Sequence, residues 1–176
     1  MKKFFIFSLI VIAIFLWYLN SKTHPVEFGI TFSRSHAISL GLDWREAYSA
    51  MLSDLKPKYV RISAPWDEMT TNSDGFSLEA FNNVDWQMDE ALKNGAKVTL
   101  VVGQKTPRWP ECNIPVWAAE LSQEEKKQAF FKYVNGVVSH YRSHPALEWW
   151  QVENEPFIKF DFGVCDQFDL DFVAEE

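Results

Sequence analysis

The chain has 176 residues, room for one ordinary domain preceded by a targeting segment. Hydrophobic residues make up 47% and charged residues 23%, the balance of a packed domain rather than a disordered one. The net charge is −7, and because residues 1–25 hold three Lys and no acid, the remainder carries −10; such a surface repels phosphates and excludes a nucleic-acid partner.

Met1-Lys-Lys precedes an apolar run from Phe4 to Leu19 broken only by Ser8. As a helix this run measures about 24 Å, slightly short of a bilayer core of about 30 Å. Lys2 and Lys3 suit the cytoplasmic side, and Trp17 and Tyr18 the outer interface. Residues 1–22 therefore read as a signal-anchor or a signal peptide, with residues 4–19 in the membrane. No Ala-x-Ala-like cleavage site follows, which favours the anchor; both readings place the domain outside the cytoplasm, membrane-anchored or secreted.

From residue 26 onward, strand and helix patterns alternate. Residues 26–32 read as a strand, and Trp44, Ala47, Tyr48, Met51 and Leu55 trace a helix opened by Asp43 and Glu46. Residues 58–64 form the second strand; Val84, Met88, Ala91 and Leu92 mark a helix that Gly95 closes. Residues 96–102 are the most apolar strand. The third helix opens with Ser122 and Glu125 as a capping box and carries Ala129, Phe130, Tyr133, Val134, Val137, Val138 and Tyr141 on one face. Residues 148–153 are the fourth strand, and residues 168–176 resemble the start of a fourth helix.

Strand–helix alternation predicts a parallel α/β sheet with right-handed crossovers. The extra length lies after the strands, in residues 64–83 and 103–121, where a TIM barrel builds its active site. A doubly wound sheet would want a Gly-rich turn after its first strand, and Phe32-Ser-Arg-Ser-His36 is not one. The predicted fold is a (β/α)8 barrel truncated to about its first four βα units, residues 26–176, preceded by an N-terminal membrane helix.

Asn154-Glu155-Pro156 falls at the end of the fourth strand, where a barrel places catalytic groups. The segment Trp150-Gln-Val-Glu-Asn-Glu-Pro-Phe157 resembles strand four of the clan A glycoside hydrolases, in particular cellulase-like enzymes related to family 5. Tyr59-Val-Arg-Ile-Ser-Ala-Pro-Trp66 and Thr106-Pro-Arg-Trp-Pro-Glu-Cys112 support the resemblance, which covers residues 26–176. It implies that Glu155 is the general acid/base of a retaining hydrolase and that Asn154 donates to the sugar 2-hydroxyl. Protonating a glycosidic oxygen needs a carboxyl whose pKa is raised by burial and by a second carboxylate. In this clan the second carboxylate, the nucleophile, ends strand seven, and no Glu of this chain matches that motif. The chain alone is therefore expected to be inactive.

Other candidates follow from placement. Arg61, mid-strand, must be paired or face the barrel mouth; the resemblance puts such an Arg in the active-site floor, and a structural ion pair is the alternative. Trp66, Trp109 and Trp117 fall on loops after strands, where exposed rings would stack on pyranose faces. Gln104 and Arg108 could donate to sugar hydroxyls or anchor their loops. Glu153 could modulate the acid, or be paired inside the barrel or displaced by a bulge. Neither Cys112 nor Cys165 lies in a metal-binding pattern, so no metal site and no cofactor are expected. Both follow strands of adjacent units on one face, which predicts a disulfide bracing the rim if the Cα atoms come within about 7 Å; two free thiols are the alternative.

The expected partner is a β-linked poly- or oligosaccharide. A non-catalytic, membrane-anchored carbohydrate-binding half-barrel and one half of a split enzyme stand as alternatives. The particular glycan and the oligomeric state are not encoded in any motif.

Overall fold

The computed structural model describes residues 11, 12, 14, 15, 17, 26–108, 111–158 and 170–175. Four parallel strands, β1 (Gly29–Thr31), β2 (Tyr59–Ser63), β3 (Lys97–Val102) and β4 (Leu147–Val152), form one sheet in the order β1-β2-β3-β4. Between them run α1 (Arg34–Ser39), α2 (Trp44–Leu55), α3 (Trp66–Met69), α4 (Leu78–Lys93), a 3-10 turn (Val116–Ala118) and α5 (Gln123–Tyr141), with α6 (Leu170–Glu175) after β4. Sequential strands pairing in chain order through helical crossovers is the topology of a barrel wall, as the alternation predicts.

Local chemistry fixes the helix ends. Asp43 accepts from the amides of Arg45 (2.8 Å) and Glu46 (3.1 Å), and Ser77 accepts from Ala80. Ser122 and Glu125 form both halves of the predicted capping box. Gly95, at φ +71, takes the left-handed turn just past α4.

The sheet has two unlike faces because successive side chains alternate. Val60 and Ile62 of β2 and Val98, Leu100 and Val102 of β3 meet the helices, packing with Tyr48, Leu52, Val84, Met88, Phe130, Tyr133, Val137 and Tyr141. The opposite face carries Thr31, Tyr59, Arg61, Ser63, Thr99, Trp149 and Gln151, with Arg61 paired to Thr99 and Thr99 to Trp149 in register. β3 pairs Val98 with Leu147 but Thr99 with Trp149, so Glu148 is the extra residue of a β-bulge. The two adjacent tryptophans divide as alternation demands. Trp149 lies on the inner face, its ring 4.9 Å from Tyr59, and Trp150 packs toward the core.

Leu55 and Leu92, expected on apolar helix faces, are 54% and 41% exposed; each sits in the last turn of its helix. Among the described residues no helix is long and apolar enough to cross a membrane. Val11, Ile12, Ile14, Phe15 and Trp17 are helical and exposed, and the rest of the expected membrane segment 4–19 lies outside the described residues.

Candidate active site

The C-terminal ends of the four strands and the loops that follow them gather the residues able to carry chemistry. β4 ends at Val152, and the next residues leave the strand abruptly: Glu153 has φ +56 and Glu155 φ +53. Left-handed backbone at non-glycine residues costs on the order of 1–3 kcal/mol and persists only where surroundings hold it. The result is a tight turn that buries Asn154 and leaves Glu155 exposed. The Asn154 amide donates to the Lys105 carbonyl at 2.8 Å, and the Glu155 carbonyl accepts from the Ile158 amide at 3.1 Å.

Arg61 lies on the inner face. Its Nε donates to Thr31 Oγ1 at 3.0 Å and its Nη1 to Gln151 Oε1 at 3.2 Å. Gln151 Nε2 in turn donates to the Glu153 carbonyl at 2.8 Å. The guanidinium thus ties β1, β2 and β4 into one polar network below the turn. These partners are neutral oxygens, not the carboxylate that a structural ion pair would supply.

The loop after β3 folds back on itself. Lys105 bridges Cys112 in antiparallel fashion, the Thr106 amide donates to the Glu111 carbonyl at 2.8 Å, and Asn113 Nδ2 donates to Thr106 Oγ1 at 2.9 Å. Lys105 and Glu111, both buried, form an ion pair at 3.4 Å inside it. Gln104 anchors the loop through its backbone: its amide donates to Glu153 Oε1 and its carbonyl accepts from the Asn113 amide. Cys112 is disulfide-bonded. Cys165 and Trp109, respectively its expected partner and an expected sugar platform, lie outside the described residues.

Trp66 corrects the sequence reading. It opens α3 rather than projecting from a loop and is 0% exposed. Trp117 and Phe130 meet it edge-on at 5.7 and 5.2 Å, and Tyr133 lies nearly parallel to it at 6.2 Å. No ring face is left for a sugar. The reason is local: Pro65 caps a single helical turn that swings the indole back over the sheet, toward α5, instead of out along the loop. Trp117 is drawn into the same cluster and half-buried.

Two acidic residues beside Trp66 were not singled out in the sequence. Glu68 pairs with Arg34 of α1, closing the rim between the first two units. Asp67 keeps an exposed edge, yet crowding that displaces solvent from its carboxyl and the neighbouring Glu68 charge push it up to about 6. An acid directly after a strand-ending Ala-Pro-Trp was the signal that could have flagged it. Among the described residues no group of His, Cys, Asp and Glu is arranged to hold a metal.

An α/β barrel wall with a carboxyl-bearing turn at the strand ends defines a class, the barrel proteins that place their chemistry at the C-terminal face, and comparison narrows it. The family model for Cellulase (glycosyl hydrolase family 5) matches residues 22–161, and the chain belongs to that family. No curated protein matches the chain. Among solved structures, a GH5_18 variant from Streptomyces cattleya in complex with Manb1-4GlcNAc aligns with TM-score 0.63 at 13% identity, covering 85% of this chain and 40% of that one. GH5_18 from Bifidobacterium longum subsp. longum gives 0.60 at 19% identity over 75% of this chain and 34% of that one. The β-glycosidase from Pyrococcus horikoshii gives 0.56 at 16% over 74% and 35%. At such identities the likeness is one of fold. The chain spans between about a third and two fifths of these neighbours' length.

Proposed function

We propose that this protein acts as a retaining glycoside hydrolase on β-linked oligo- or polysaccharides, with Glu155 as general acid/base. The observation that carries the reading is Asn154-Glu155-Pro156 at the C-terminal end of β4, in a chain of family 5. Asn154 is buried, but Glu155 is exposed where a general acid was expected to be buried, and this reading leaves its enclosure to the strand that brings the second carboxylate. In this reading Glu155 protonates the departing glycosidic oxygen while a second carboxylate, about 5–5.5 Å away, attacks the anomeric carbon; Glu155 then deprotonates the water that hydrolyses the glycosyl-enzyme. Asn154 donates to the 2-hydroxyl, and Arg61, Gln104 and Trp109 complete the sugar contacts. This reading assigns the second carboxylate to a strand other than the four described. One of these neighbours, the Streptomyces cattleya structure, is a complex with Manb1-4GlcNAc, which makes β-linked disaccharides the first class to test.

The reading extends to location and bracing. The apolar residues 4–19, preceded by Lys2 and Lys3, anchor the protein in a membrane with the domain outside the cytoplasm. There the Cys112 disulfide, closed with Cys165, braces the rim.

The test is hydrolysis of aryl β-glycosides and β-linked disaccharides by the chain alone and together with the product of the adjoining downstream coding sequence, fused or separate. Turnover is expected only in the second case, falling about 10²–10⁴-fold in Glu155→Gln. Turnover that ignores Glu155→Gln would overturn the assignment. Hydrolysis by the chain alone would overturn the external second carboxylate, and sugar binding without turnover in every form would favour a carbohydrate-binding half-barrel.

A further inference from the structure

Glu153 is a carboxylate in an unusual setting. It is 1% exposed, and burying an ionised carboxyl costs several kcal/mol unless its lone pairs are met. Here they are met by backbone: Oε1 accepts the Gln104 amide at 2.7 Å and Oε2 the Lys105 amide at 2.6 Å. The main chain of Glu153 is held as well, its amide donating to the Val102 carbonyl at 2.9 Å and its carbonyl accepting from Gln151 Nε2 at 2.8 Å. Gly103 makes room for the carboxylate. A Cβ there would lie 2.5–2.7 Å from the Glu153 carboxyl atoms, and its φ of +145 is one that side chains resist.

These contacts close a ring. The Glu153 side chain holds the Lys105 amide, and the carbonyl of the same Lys105 accepts the Asn154 amide at 2.8 Å. The ring fixes Asn154 from its N-terminal side, at Glu153 and at its own amide, while the residues on either side of it, Glu153 and Glu155, sit in left-handed backbone. Regular strand alternation would have left residues 153 and 155 on one face; instead one is buried in the β3 loop and the other exposed.

We propose that Glu153 is a positioning residue for Asn154 and Glu155, its carboxylate acting as a two-amide clamp that docks the loop after β3 against the end of β4 and sets the turn on which Glu155 is presented. The proposal rests on Glu155 being the acid/base. It assigns Glu153 no contact with substrate.

Amide hydrogen exchange on the full chain tests the clamp. Glu153→Gln keeps the size but turns one acceptor into a donor facing an amide N–H. The Gln104, Lys105 and Asn154 amides are expected to exchange about tenfold faster or more, with Val98 and Leu100 of β3 within about twofold of wild type. Gly103→Ala keeps Glu153 but displaces its carboxylate, so the same three amides should quicken; this variant decides the matter if Glu153→Gln does not fold. In the hydrolysis assay above, Glu153→Gln should lower kcat at least about tenfold with KM within about twofold. Unchanged exchange at the three amides, a uniform rise across the strands, or a raised KM at constant kcat would each overturn the proposal. Hydrolysis insensitive to Glu155→Gln would instead remove the acid role and leave the clamp standing.

Discussion

Tyr133→Phe tests what joins the strand ends beneath the site. The Tyr133 ring is 0% exposed in the aromatic cluster of Trp66 and Phe130, and its hydroxyl works in two directions. It donates to the Ala64 carbonyl just past β2 and accepts the Gly103 amide, just past β3, at 3.1 Å. Removing one oxygen leaves the packing almost untouched and strips both bonds. An orphaned buried N–H costs about 1–3 kcal/mol and the second bond about 1 kcal/mol, for a total of about 2–4 kcal/mol. Tyr48→Phe is the control: Tyr48 is equally buried, but its hydroxyl only donates, to the Gln87 carbonyl at 3.1 Å. Its loss strands no donor and should cost about 0.5–1.5 kcal/mol. Urea unfolding followed by tryptophan fluorescence, at about 2 kcal/mol/M, should show midpoint losses of about 1–2 M for Tyr133→Phe and under about 1 M for Tyr48→Phe. Equal losses in the two variants, or a Tyr133→Phe loss under about 0.5 kcal/mol, would refute the reasoning.

Asp67 gives a pH dependence. Its folded-state carboxyl stands near 6, above its unfolded value, so its contribution is full below about pH 4 and is lost as pH rises through 6. Asp67→Asn should therefore gain on wild type in thermal stability across that window and hold the gain above it; a difference flat from pH 4 to 8 would contradict the assignment. Gly136→Ala should destabilise by about 1–3 kcal/mol although alanine is the better helix former, because the new Cβ would stand 2.2–3.1 Å from three atoms of the Phe76 ring. Adding Phe76→Leu should recover part of that loss in chemical denaturation, and strictly additive losses would argue against the contact. Cys112→Ser should cost roughly 4 kcal/mol if the bridge closes the loop to Cys165. Thiol titration of unreduced wild type should find none free, and two would refute the bridge.

Much of this architecture was written in periodicity. Strands and helices alternate in hydrophobic pattern, and the caps at Asp43, Ser77 and Ser122 carry their own side-chain chemistry. The division of Trp149 and Trp150 between two faces needs only a strand period of two. Trp66 was misread because an aromatic after a strand looks the same in sequence whether the loop runs outward or a single helical turn folds it inward. Asn83 and Gln87 are polar residues buried on α4 beside the apolar face traced by Val84 and Met88; one bonds Arg45 and the other's carbonyl takes the Tyr48 hydroxyl. Those partners are 38 and 39 residues distant in sequence, beyond any local pattern.

The end of β4 shows where pattern reading stops and backbone chemistry begins. By alternation, Glu153 and Glu155 are equivalent positions; a sequence cannot say which carboxyl faces out. The left-handed backbone at both residues breaks the equivalence, and an anchor is required because each would relax to right-handed or extended geometry if freed. The candidates for that anchor lie in the loop after β3, in two consecutive amides and one carbonyl, none of which has a side-chain signature. Only Gly103 hints at it, through the space it vacates. Presentation of Glu155 is thus coupled to the fold of the neighbouring unit: the loop that carries Gln104 is bonded to the turn that carries Glu155 through the Glu153 carboxylate and the Lys105 carbonyl.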